Sequence, residues 1–199
     1  MKLPRLSSNA FITQWILLTI AASVVAMVDG GWLASWASLA PERICHGQIW
    51  RLVTWIFIER SPLALVFTCV SLYKFGGELA YRWGDRRLRR FALLLIIAGG
   101  IIATLGGFVS DYAWSMQRCG GWIVGDLIVI AWARQFPMAT VTLYYGLLTL
   151  SGERLMYFTL GVTTLIAISV SPFVWAPELV AAYGAAFLSS AFLENLGRR

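Results

Sequence analysis

The chain has 199 residues, 59% of them hydrophobic and 13% charged, with a mean hydropathy of +0.72, which excludes an ordinary water-soluble domain and places the chain in a lipid bilayer. Its formal charge of +6 does not point to nucleic acid, because that reading needs a solvated basic face and the cations here fall in short gaps between apolar runs. A single histidine, His46, and three cysteines without CxxC spacing, Cys45, Cys69 and Cys119, imply no metal site, no cofactor and no disulfide framework.

The first apolar run, Ile12 to Val28, follows Lys2 and Arg5. It is too long for the core of a signal peptide, and further apolar runs follow, so it reads as a retained transmembrane helix. The segment from Asp29 to Glu59 is rich in tryptophan (Trp32, Trp36, Trp50 and Trp55) and too apolar to be simply solvated. A re-entrant or interfacial element in the outer membrane interface fits it. Further helices are predicted over Pro62 to Ala80, Phe91 to Phe108, Gly121 to Ala133, Leu155 to Phe173 and Pro177 to Leu193. Most reach the ~20 residues that cross a bilayer, and the fourth run is short. Between the fourth and fifth helices, Met138 to Leu150 contains ATVTLYYGLLTL, whose partial alternation favours an extended interfacial segment over an extension of a neighbouring helix.

Cations orient these helices. Lys2, Arg5, Arg82, Arg86, Arg87, Arg89, Arg90, Arg134, Arg154, Arg198 and Arg199 lie at alternate ends of the runs and make up 11 of the 16 Lys and Arg residues. The positive-inside rule then gives six crossings with both termini cytoplasmic. The expected architecture is all-α: one polytopic domain over residues 1–199, with a long interfacial loop between helices 1 and 2. Compact loops without luminal domains suggest a bacterial inner membrane.

Lipid gives helices no hydrophobic reason to associate, so close packing at small residues must substitute. Gly99, Ala103 and Gly107 form one such stripe, Gly121 and Gly125 a second, and Ala182, Ala186 and Ser190 a third. Asp126 is the most conspicuous charge within an apolar run, and facing lipid would cost it several kcal/mol, so it should face protein. It reads either as a proton or substrate site or as a partnered structural group, bonded to backbone or to Lys74.

Three stretches in order resemble the rhomboid superfamily, which includes rhomboid proteases and the Derlins. GQIWRLVTWIF, Gly47 to Phe57, is similar to the Trp-Arg motif of the first rhomboid loop. LYKFGGELAYRWGDRRLRRF, Leu72 to Phe91, is similar to the end of rhomboid helix 2 and its basic turn, with Gly76, Trp83 and Gly84 as motif positions. GDLIVIAWARQFP with ATVTLYY, Gly125 to Tyr145, looks like helix 4 and its extended connection. The role of Trp50 and Arg51 can be argued without the family: the amphipathic ring anchors at an interface, and the guanidinium can satisfy several loop carbonyls at once.

The resemblance implies a six-helix rhomboid-like bundle, and it allows the catalytic positions to be tested. Rhomboid proteases carry a serine in GxSG on helix 4 and a histidine in AHxGG on helix 6, with oxyanion donors on helix 2. In RCGGWIVG the nucleophile position is Gly120, and in AAYGA, Ala181 to Ala185, the histidine position is Ala182. Ala64 and Thr68 stand where the family has His and Asn, Glu59 stands at an earlier loop histidine, and Ala80 replaces a glutamate, with Glu78 close by. The resemblance therefore implies a pseudoprotease that binds transmembrane segments of client membrane proteins.

Two alternatives remain open. One is a noncanonical thiol protease using Cys119, with Arg118 lowering the thiol and His46 as its base. The other is a small transporter or channel with Asp126 in its path, against which the absence of an inverted repeat argues.

Overall fold

The first apolar run forms α1 (Ala10–Val28), which buries Ile12, Trp15, Thr19 and Ser23. That spacing of three and four residues is one helical face. Leu17, Leu18, Val24, Val25 and Val28 lie exposed on the remainder. Polar groups inward and aliphatic groups outward is the pattern of a helix whose surroundings are lipid. The structure is a computed structural model that describes residues 10–109, 111–143, 148–170 and 174–197. Lys2, Arg5, Phe173, Arg198 and Arg199, and the side chain of Ser190, lie outside the described residues.

The tryptophan-rich segment folds as three short helices, α2 (Trp32–Ala37), α3 (Pro41–Cys45) and α4 (Arg51–Thr54), ending in a 3₁₀ turn over Trp55–Phe57. Asp29 caps α2 by accepting the Gly31 and Leu33 N–H groups at 2.8 and 2.7 Å, and Gly31 takes the positive φ of 86° that lets the chain turn there. Arg51, 1% exposed, holds the segment from within. Its Nη1 donates to the carbonyls of Ser35 and Ser38 at 2.9 and 2.8 Å, and its Nε donates to Gln48 at 2.7 Å. Trp50 stacks on Trp36 at 5.5 Å.

The second apolar run is continuous from α5 (Pro62–Ser71) through a π-helical turn at Leu72–Gly76 into α6 (Gly77–Trp83). Gly84, at φ 81°, reverses the chain into α7 (Asp85–Gly107). Then follow α8 (Asp111–Ser115), α9 (Trp122–Gln135), β1 (Thr140–Leu143), β2 (Leu148–Ser151), α10 (Gly152–Val170) and α11 (Ala176–Gly197). The strands pair antiparallel, Thr140 with Ser151 through Leu143 with Leu148, so the extended reading of this connection holds for its described residues. This hairpin departs from the all-α expectation. A cross-strand ladder satisfies backbone groups that β-branched threonines and valine leave poorly served in a helix.

Three described helical stretches are long and apolar enough to cross a membrane, Ala10–Val28, Pro62–Trp83 and Asp85–Gly107. α9 has only 14 residues, a rise of about 21 Å, short of the hydrocarbon thickness of a bilayer. α9 is nonetheless the centre of the fold, with Ile123, Val124, Leu127, Ile128, Ile130 and Ala131 all buried against α5, α7, α10 and α11. Small residues permit the approach: a Cβ on Gly99 would lie 3.1 Å from Pro177 Cα of α11, and one on Gly107 would lie 3.1 Å from Pro41 Cβ of α3.

Candidate functional site

Two backbone hydrogen bonds place the interfacial segment against the start of α9. Leu39 N–H donates to the Arg118 carbonyl at 2.8 Å, and Arg118 N–H returns the bond at 2.9 Å. Gly120 N–H then reaches the Trp55 carbonyl at 3.2 Å, and at Gly121 the chain passes so close to the Ile56 carbonyl oxygen that any Cβ would overlap it. Only glycine permits that approach.

This packing lays Glu59, 4% exposed, over the first turn of α9. Its carboxylate accepts the Thr68 hydroxyl at 2.8 Å, and the backbone N–H groups of Gly121 and Trp122 lie near enough to favour its charged form. Its own N–H donates to Ser23 of α1 at 2.9 Å, and that hydroxyl donates to the Phe57 carbonyl at 3.3 Å. The free N–H groups of a helix start are a ready anion site, and here the chain fills it with its own carboxylate. Burial raises the Glu59 carboxyl above its ordinary value, while the Thr68 and backbone hydrogen bonds pull it partly back.

Cys119 and His46 have separate partners. His46 ends α3, exposed, with Nδ1 2.7 Å from the Glu42 carbonyl, whereas Cys119 is half-buried with Sγ 3.7 Å from the Ala34 carbonyl. Burial pushes the Cys119 thiol up, against the pull of the Arg60 guanidinium. Arg118 does not act on it. Neighbouring side chains of an extended strand point to opposite sides, and Arg118 turns away to pair with Glu178 of α11. That guanidinium also lies 5.5 Å from the Trp175 ring, which packs edge-on to Trp122 at 5.2 Å. Arg118 Nη1 and Glu178 Oε2 are buried without a hydrogen-bond partner.

Asp126, on the second turn of α9, accepts the Thr163 hydroxyl of α10 at 3.4 Å and has the Glu178 carboxylate as its electrostatic neighbour. The pairing with Lys74 does not form, and Lys74 lies 5.4 Å from the Phe75 ring. Phe75 in turn contacts Trp132, six residues and about 9 Å further along α9 than Asp126. Asp126 instead lines a cleft of about 440 Å³ between α5 and α9, with Ser61, Leu63, Ala64, Phe67, Thr68, Ser71, Trp122 and Gly125.

The positions singled out by the rhomboid resemblance are distributed around this centre. Gly120 is buried beside Trp122, Ala182 is fully buried in α11, Ala64 lines the cleft, and Thr68 serves Glu59. Trp83 donates to Gln135 at 2.9 Å, Trp132 donates to Glu78, and Gly76 meets Ile12, where a Cβ would lie 3.0 Å from Cδ1. Among the described residues no group of three or more His, Cys, Asp and Glu side chains converges in a way that could hold a metal. Glu178 was not anticipated as a site residue, although an acid directly after Pro177 in the last apolar run is a signal that could have marked it.

Long lipid-facing helices around a buried short one define a multi-pass integral membrane protein. Residues 10–193 match the family described as eukaryotic integral membrane protein (DUF1751), and the chain belongs to that family. This corrects the expectation of a bacterial inner membrane. Compact loops and the lack of luminal domains reflect how tightly the helices connect, which does not depend on whose membrane they cross.

Proposed function

We propose that the chain is a rhomboid-like, six-crossing membrane protein without proteolytic activity that binds transmembrane segments of client membrane proteins. The likeness rests on the Trp50-Arg51 loop, the Phe75 to Trp83 turn and the order of six apolar runs. The lack of proteolysis is supported by Gly120 and Ala182, which offer neither hydroxyl nor imidazole, and by Glu59, whose carboxylate lies against Gly121 at the α9 start, where an oxyanion would need its donors.

The observation that carries client binding is the cleft between α5 and α9. Leu63 and Phe67 on its α5 wall are 66% and 63% exposed, so an apolar segment can reach it from the bilayer. The 14-residue α9 also favours a locally thinned membrane, where a marginal helix gains most from a protein partner.

The test is a photo-crosslinking amino acid at Phe67 in the full chain, expressed in membranes. Single-pass or multi-pass membrane proteins should be recovered through their transmembrane segments, and recovery of none rejects the proposal. Cleavage of model transmembrane substrates by the purified chain, lost in Cys119→Ala, would reject it in favour of a thiol protease. Solute flux lost in Asp126→Asn would reject it in favour of a channel.

A further inference from the structure

Among the described residues, no cation pairs with Asp126 at the cleft. The ion pair among the described residues joins Arg118 to Glu178, the hydrogen bond to Asp126 comes from the neutral Thr163 hydroxyl at 3.4 Å, and its electrostatic neighbour Glu178 is a second carboxylate. Arg118 offsets Glu178 within that pair, which leaves the Asp126 carboxylate as the acceptor that the cleft offers a cation. Its walls are the apolar faces of Leu63, Phe67 and Trp122, with the hydroxyls of Ser61 and Ser71 beside them.

We infer that the cleft selects client transmembrane segments carrying a lysine or arginine at the level of Asp126; this rests on the reading of the cleft as a client site. A basic side chain in hydrocarbon is costly to its own segment. Here its aliphatic stem lies along Phe67 and Leu63 while its charged end reaches the Asp126 carboxylate, as long cations do when an acceptor lies off the helix axis. A segment of leucines fills the same walls but leaves the carboxylate unanswered, and a segment with a glutamate sets a second carboxylate against it.

The full chain is reconstituted in vesicles of neutral phospholipid with a photo-crosslinking amino acid at Phe67. It is titrated with single-span peptides identical except for Lys, Leu or Glu at the central position. The Lys peptide should reach half-maximal crosslinking at about tenfold lower density than the Leu peptide, with the Glu peptide weakest, and the isosteric Asp126→Asn should bring the Lys and Leu peptides to the same value. Equal crosslinking of the Lys and Leu peptides to the unaltered chain overturns this inference while leaving client binding intact. Crosslinking of no peptide, or of lipid only, overturns both.

Discussion

Glu59 and Thr68 meet across the cleft rim, the Thr68 hydroxyl donating to the Glu59 carboxylate at 2.8 Å directly over the start of α9. Removing the acceptor leaves that buried hydroxyl without its partner and takes away the carboxylate that the Gly121 and Trp122 N–H groups favour. Glu59→Ala should lower stability by about 2 kcal/mol, and Thr68→Val, which removes one bond, by about 1 kcal/mol. Thermal unfolding of the purified protein in detergent measures both, and an unchanged midpoint in Glu59→Ala would show that the carboxylate holds nothing.

The same residue sets a pH dependence. Burial raises the Glu59 carboxyl above its ordinary value of 4.5 in the folded chain. The unfolded chain therefore ionises first as pH rises, and the stability present below about pH 4.5 is progressively lost as pH climbs through the folded value. Glu59→Gln should flatten this part of the stability curve, seen as a smaller difference between unfolding midpoints at pH 4 and pH 7.

Cys119 should be a slow thiol. It is half-buried, and burial pushes its thiol up, so little thiolate forms at neutral pH. Cys45 is exposed. A time course of N-ethylmaleimide modification read by mass spectrometry should show Cys45 labelled first, by about tenfold or more. Faster labelling of Cys119 would reopen the thiol-protease reading.

Glycines separate by position. Gly121→Ala drives a Cβ into the Ile56 carbonyl and should cost about 2–3 kcal/mol. Gly161→Ala in α10 meets nothing within 4 Å and should be neutral or stabilising by up to about 1 kcal/mol. Thermal midpoints of the two variants, measured side by side, check the contrast.

The Arg118 and Glu178 pair is buried, with relative side-chain exposures of 14% and 2%. Removing one partner strands the other, so Glu178→Leu should destabilise by about 3–5 kcal/mol, whereas Arg118→Met with Glu178→Leu should recover most of that loss. A double-mutant cycle in detergent decides it, and additive losses would show that the two charges do not depend on each other.

Local features of the fold were legible and distant pairings were not. The six apolar runs, the turn at Gly84 and the alternation around Thr140 to Leu143 are patterns written along neighbouring residues, and each marks an observed element. The Arg51 bonds to loop carbonyls follow from the donor fork that guanidinium carries. Glu59, by contrast, stood in the sequence as a replaced histidine, because its contact with Gly121 depends on how closely two separate segments approach. The partner of Asp126 was sought on the wrong helix for the same reason: which face of α9 meets α10 is set by packing, and both Lys74 and Thr163 were compatible with the sequence pattern.

The reciprocal bonds between Leu39 and Arg118 join the interfacial segment to the start of α9 through main chain alone. No side-chain substitution at either position removes those donors and acceptors, short of proline. Arg51 ties the carbonyls of the same segment together from within. The register between loop and helix is thus written in backbone, and sequence drift at these positions leaves it standing.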